Sequence, residues 1–103
     1  MTLNSKDWKA TESTDFAGRD RHLTVTGLVE VTATNMKPVL KPTVPQGINP
    51  EILLLTVSEE PEGDVGGDVM TWKSAEYTQP IAEGQYTDVT VDGQTVKVEE
   101  LIS

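Results

Sequence analysis

Residues Tyr86–Glu99 read Y-T-D-V-T-V-D-G-Q-T-V-K-V-E. Asp92-Gly93 at the centre marks a two-residue hairpin turn, because both middle positions of a type I′ turn need φ > 0. Counting outward sets Val91 opposite Gln94, Thr90 opposite Thr95, Val89 opposite Val96, Asp88 opposite Lys97 and Thr87 opposite Val98. That register puts Val89, Val91, Val96 and Val98 on one face. The other face carries an opposite-charge pair, Asp88 with Lys97. The chain therefore ends in a hairpin with one wall for a core.

Working back from this hairpin, Gln79–Gly84 is a connection and Val69–Tyr77 has strand character, with Met70 and Trp72 on one parity and Lys73 on the other. Met70 and Trp72 are expected in the core. Glu59–Asp68, E-E-P-E-G-D-V-G-G-D, is a loop by composition. Glu51–Ser58 holds Ile52, Leu53, Leu54, Leu55 and Val57. An apolar run of this length between turns predicts a central strand buried on both faces. Val44-Pro45-Gln46-Gly47 suits a type I turn. In Met36–Val44 the two prolines, Pro38 and Pro42, share one parity, so their missing N–H groups fall along one edge of a marginal strand.

His22–Thr34 alternates cleanly, with Leu23, Val25, Val29, Val31 and Ala33 on one face. Gly27 within it marks a bend or bulge. Residues 1–21 show no sustained period and are expected to be a loosely ordered arm, pinned to the body by Trp8, with at most one strand around Trp8–Glu12. The remaining residues, 22–103, form the domain.

At 103 residues the chain makes one domain. Threonine and valine dominate, and such β-branched side chains fit a pleated surface better than a helix. The expected fold is all-β: a single antiparallel β-sandwich of about six or seven strands, with a small open β-barrel as the alternative. Hydrophobic residues make up 36%, below the usual ~45–50%, so the core should be thin. Cysteine is absent, which removes disulfides, thiolate metal sites and cysteine nucleophiles. Residues 1–21 contain no apolar signal segment, and Ile52–Leu55 is far short of a membrane span. A cytoplasmic protein is expected.

Net charge is −9 and lies wholly in the second half: residues 1–57 balance, while 58–103 hold two lysines against eleven acids. Such a surface repels phosphate backbones and anionic lipid heads. Nucleic acid and membranes are thus excluded as partners, and another protein with a basic face is favoured.

Three functional readings follow. The leading one is a non-catalytic protein-binding module, with Trp72, Tyr77 and Tyr86 as the candidate partner surface because aromatics supply large rigid contact area. The second is a Ca²⁺-responsive module in which Glu60, Glu62, Asp64 and Asp68 supply hard oxygens. Their spacing is not that of an EF-hand, since Val65 takes the glycine position and Thr71 that of the bidentate Glu. The third is a small hydrolase using His22 as base for Ser58 or Ser74, although no nucleophile elbow is present. Catalytic residues and a resident cofactor are not expected.

Ile81–Val91, I-A-E-G-Q-Y-T-D-V-T-V, resembles the tyrosine-corner stretch of fibronectin type III and related immunoglobulin-like sandwiches. In those domains the apolar residues keep the parity of the tyrosine. Here Val89 and Val91 have the opposite parity to Tyr86. The resemblance implies a sandwich and carries no function with it.

Overall fold

The computed structural model describes residues 3–14, 21–63, 69–82 and 84–101. Seven strands form the fold: β1 (Ser5–Thr14), β2 (Arg21–Val31), β3 (Met36–Pro42), β4 (Ile52–Pro61), β5 (Thr71–Pro80), β6 (Asp88–Val91) and β7 (Gln94–Leu101). They make one sheet in the order β3-β4-β6-β7-β1-β2-β5, curled until it is nearly a closed barrel. β7 is the corner: its first half pairs with β6 and its second half with β1. The expected all-β class and strand number hold. Pairing is mainly antiparallel, but β1 with β7 and β4 with β6 run parallel.

The closing hairpin has the register read from its sequence, from Val91↔Gln94 to Asp88↔Lys97. Val98 N–H donates to Thr87 C=O at 2.9 Å one step further on. Asp92 and Gly93 have φ of 47° and 86°, as a type I′ turn requires. Val89 and Val91 are fully buried, and Val96 and Val98 pack against the same core.

The N-terminal segment departs from the expected loose arm. Ser5–Thr14 is a ten-residue strand lodged between β7 and β2. Trp8, Ala10 and Glu12 point inward and are buried. The alternation is hard to see in the sequence because one inward residue is small and another is charged. Phe16 and the rest of 15–20 lie outside the described residues.

Gly27 likewise has another role. β2 runs unbroken past it, and the irregularity sits across the ladder in β1, between Lys6 and Lys9. There Asp7, at φ 58°, and Trp8 face Gly27 in the manner of a β-bulge. A Cβ on Gly27 would overlap the Trp8 ring at Cε3. Gly27 is the floor on which the indole ring lies.

β3 is the edge strand that its prolines demand. β4 differs from expectation in two ways. Leu53, Leu55 and Val57 are buried while Ile52 and Leu54 are only half-buried, so one face makes the core. It also continues through Pro61, taking Glu59 and Glu60 out of the expected 59–68 loop. Residues 64–68 of that loop lie outside the described residues. The expected turn at Val44–Gly47 is a pair of bends. Its Gln46 side chain acts as a spare peptide: Leu54 N–H donates to Oε1 and Nε2 donates to Leu54 C=O, both at 2.9 Å. This continues the β4 ladder past the end of β3.

Among the described residues no helix is long and apolar enough to cross a membrane.

Candidate functional site

The curled sheet has two mouths, and polar inward-facing residues gather at both. One mouth is made by the end of β1, the starts of β2 and β6, and the ends of β5 and β7. Glu12 reaches into it, 4% exposed, and Arg21 donates to its carboxylate. Arg21 also stands 3.6 Å from Glu100. The remaining depression, about 220 Å³, lies against Glu12, Tyr86, Thr87, Val98 and Glu100. A buried carboxylate is tolerated here because a guanidinium shares its burial.

The opposite mouth stays open as a cleft of about 540 Å³. Leu3 and Asn4 lead into β1 on one side, Glu30 comes from the end of β2 and Thr32 directly follows it. Val57, Ser58 and Glu59 come from β4, and Met70 stands before β5. The carboxylate of Glu59 accepts from the Thr32 amide at 2.9 Å and from the Thr32 hydroxyl at 2.6 Å, tying the end of β2 to β4. Asn4 Nδ2 donates to Glu30 at 3.1 Å. Leu3, Val57 and Met70 make the apolar wall, and two carboxylates stand at its rim. Nothing in the sequence spacing announces this site, since its residues come from four separate segments.

Trp72 is on the outer face beside this cleft, and this overturns its expected place in the core. It is 40% exposed, Met70 is 54% exposed and Val69 is 62% exposed. Its cross-strand partner is Glu30 of the cleft, and the Lys6 ammonium sits 4.5 Å from its ring centroid, within cation–π range. The inward positions of β5 are instead Lys73, Ala75 and Tyr77. Lys73 donates to the carbonyls of Thr34 (2.8 Å) and Met36 (2.7 Å). In β3, Met36 shares the parity of Pro38 and Pro42, so its carbonyl points off the sheet edge. One ammonium thus bridges β5 to the edge of β3, where proline has removed the donors for a ladder.

The three aromatic candidates do not form one surface. Tyr77 lies on the inner face of β5 near the ion-pair mouth, half-buried, with its hydroxyl donating to Gln79 Oε1 at 2.7 Å. Burial, and then the neighbouring Tyr86, raises its phenol above the ordinary tyrosine value. Tyr86 lines the depression at that mouth, away from Trp72.

Of the four cation candidates, Glu60 lies 3.5 Å from Lys41 and Glu62 lies 3.4 Å from Lys73. Asp64 and Asp68 fall outside the described residues. Among the described residues no three His, Asp or Glu side chains gather as metal ligands. His22 stands across the ladder from Ser13 and Pro80, whereas Ser58 is on β4 and Ser74 is opposite Leu28. Among the described residues no hydrogen bond joins His22 to a serine. Comparison with protein-family models, curated proteins and solved structures finds no match for the chain.

Proposed function

We propose that the chain is a non-catalytic binding module that takes a short apolar and basic segment of a protein partner at its open mouth. The observation that carries this reading is the cleft itself. Its wall of Leu3, Val57 and Met70 offers apolar burial, and Glu30 and Glu59 offer charge complementarity. Exposed Trp72 extends the surface past the rim, and aromatics of this kind commonly anchor interfaces. The net charge of −9 favours a basic partner over nucleic acid or an anionic membrane. A cytoplasmic setting belongs to the same proposal, as does any immunoglobulin-like affiliation, which rests on the Ile81–Val91 resemblance alone.

The Ca²⁺ reading lacks a comparable observation. Glu59 is held by Thr32, and Glu60 and Glu62 each face a lysine. The hydrolase reading lacks one too, because His22 and the two candidate serines are on different parts of the barrel.

A synthetic peptide alternating leucine and lysine tests the proposal by amide chemical-shift mapping. Shifts should concentrate at Asn4, Glu30–Thr32, Val57–Glu59 and Trp72, and Met70→Asp should abolish them. Shifts spread over the acidic surface and indifferent to Met70→Asp would show unspecific charge attraction and sink the reading.

A further inference from the structure

Strand β4 is longer than the neighbour on either side of it. β3 accompanies it from Pro61 back to Leu55, and β6 accompanies it only over residues 52–55. Where β3 ends, the Gln46 amide stands in for the missing strand at Leu54, whose carbonyl also accepts from Thr43 N–H at 2.9 Å. Leu54 thus turns its backbone groups toward the β3 side, and by alternation Leu55, Val57 and Glu59 turn theirs to the other edge. The contacts agree: Leu55 C=O accepts from Asp92 N–H at 3.3 Å, and Val57 N–H donates to Asp92 Oδ1 at 3.4 Å. There the cover stops. Among the described residues nothing pairs with Val57 C=O or with the N–H and C=O of Glu59. Pro61 shares their parity and has no N–H, so the bare run is short.

This bare edge is one wall of the open cleft, which Val57 and Glu59 line. The hairpin tip is its roof: Asp92 reaches Val57 on β4, and Gln94 Nε2 donates to Ser5 C=O of β1 at 3.2 Å. Above the tip β6 and β7 fill the sheet between β4 and β1. Below it the cleft takes their place. We infer that a partner's segment enters the cleft as an extended strand and continues the sheet along β4 at residues 57–59. The inference rests on the reading of the cleft as a binding site and gives the conformation in which it is filled. Unpaired main-chain groups lining a concave site are the template for strand addition, which a helix, with its own groups already paired, cannot use. Charge fixes the side chains of that strand. Glu12, Glu60 and Glu62 each stand against a lysine or arginine. Among the described residues Glu30 and Glu59 meet only neutral donors, on Asn4 and Thr32. A lysine or arginine on the incoming strand supplies the cation that both lack. Leu3, Val57 and Met70 take the apolar residues that alternate with it.

Amide hydrogen exchange with the leucine–lysine peptide tests this, read at Glu59, the donor that the bare edge offers. Binding should slow exchange at Glu59 and leave Ser58, whose amide faces β3, unchanged. A peptide of the same composition with its leucines at helical spacing should bind more weakly and leave Glu59 as it was. Two variants isolate the hydrogen bond. Glu59→Ala removes the carboxylate and keeps the N–H. Glu59→Pro removes both and takes no bond from the β3 ladder, since Glu59 lies opposite Pro38 with its amide turned away. Glu59→Pro should bind the alternating peptide about fivefold more weakly than Glu59→Ala, the net worth of one hydrogen bond. Amide spectra verify that both fold; should Glu59→Pro not fold, exchange in the parent decides alone. Binding that leaves Glu59 exchange unchanged, equal affinity for the two variants, or equal binding of the helical peptide would overturn strand addition and leave the cleft as a binding site. Protection of Glu59 that rises with protein concentration in the absence of peptide would give the edge to a second copy and also overturn it. Failure of both peptides to bind defeats the cleft as a site as well.

Discussion

The two mouths of this barrel are made from the same seven strands and finished in opposite ways. At one, a carboxylate and a guanidinium face inward and neutralise each other, with Glu12 4% exposed. At the other, polar side chains satisfy the rim and leave the middle empty. There Glu59 takes the Thr32 donors, Asp92 Oδ1 accepts from Val57 N–H at 3.4 Å, and Gln94 Nε2 donates to Ser5 at 3.0 Å. The first solution puts free energy at risk inside the core. The second keeps its charges near water, where each matters less, and preserves volume. Stability should therefore depend most on the ion-pair mouth, and recognition on the open one.

The sharpest way to break this contrast is Arg21→Met. It leaves Glu12 buried with its principal counter-charge gone, and should cost about 3–5 kcal/mol, a large part of the stability of a domain this size. The double variant Glu12→Leu/Arg21→Met should recover most of that loss, because an apolar pair of similar volume removes the stranded charge. Urea midpoints report both. A single variant as stable as the parent would mean that this mouth is not the vulnerable one.

At the open mouth the largest expected loss is one of backbone. Gly93 has φ 86° and open space where a Cβ would stand. Gly93→Val therefore meets no steric clash with the fold and costs only its left-handed conformation, about 2 kcal/mol. Gly93→Asn, which tolerates that region, should lose much less. Equal urea midpoints for the two variants would show that the hairpin turn has another geometry.

Lys73→Met comes next. The ammonium gives charge-assisted hydrogen bonds to two carbonyls across the β3–β5 seam, and its side chain is 26% exposed. Screening reduces its worth to about 1–2 kcal/mol. Its signature is local. Amides of β3 and β5 should exchange faster, while those of β6 and β7 keep their protection. Uniformly faster exchange would mean that the seam is no weaker than the rest of the barrel.

What could be read in the sequence was whatever a local rule fixes. Asp92-Gly93 sets a turn and the turn sets a register, so every pair of the hairpin could be counted. Pro38 and Pro42 lack donors, so β3 had to be an edge. Parity failed where barrel geometry turns polar groups inward. Glu12 interrupts the apolar face of β1 because Arg21, on the neighbouring strand β2, supplies its counter-charge. Lys73 faces inward because the carbonyls of Thr34 and Met36 need a donor, and this sends Met70 and Trp72 out to solvent. Gly27 reads as a bend until Trp8 is placed upon it. The cleft was out of reach for a related reason. Leu3, Glu30, Glu59 and Met70 meet only once the sheet has curled, and no spacing encodes that curl.

The smallest expected effect lies at the ion-pair mouth and is spectroscopic. Tyr77 faces inward there, and burial raises its phenol above the ordinary value, with Tyr86 adding in the same direction. Below the ordinary tyrosine range, near pH 10, the phenol is neutral in both folded and unfolded chains and gives stability no pH dependence. Above that range the unfolded chain ionises first and binds fewer protons than the folded one. Stability then falls as pH rises toward the folded-state pKa. Tyr86→Phe leaves Tyr77 as the single tyrosine of the chain and removes the second cause while burial remains. Its ultraviolet titration should begin earlier than the last ionisation of the parent, yet still above the ordinary range. A phenol that titrates at the ordinary value in that variant would mean that water reaches Tyr77 freely, and the two mouths would then be open alike.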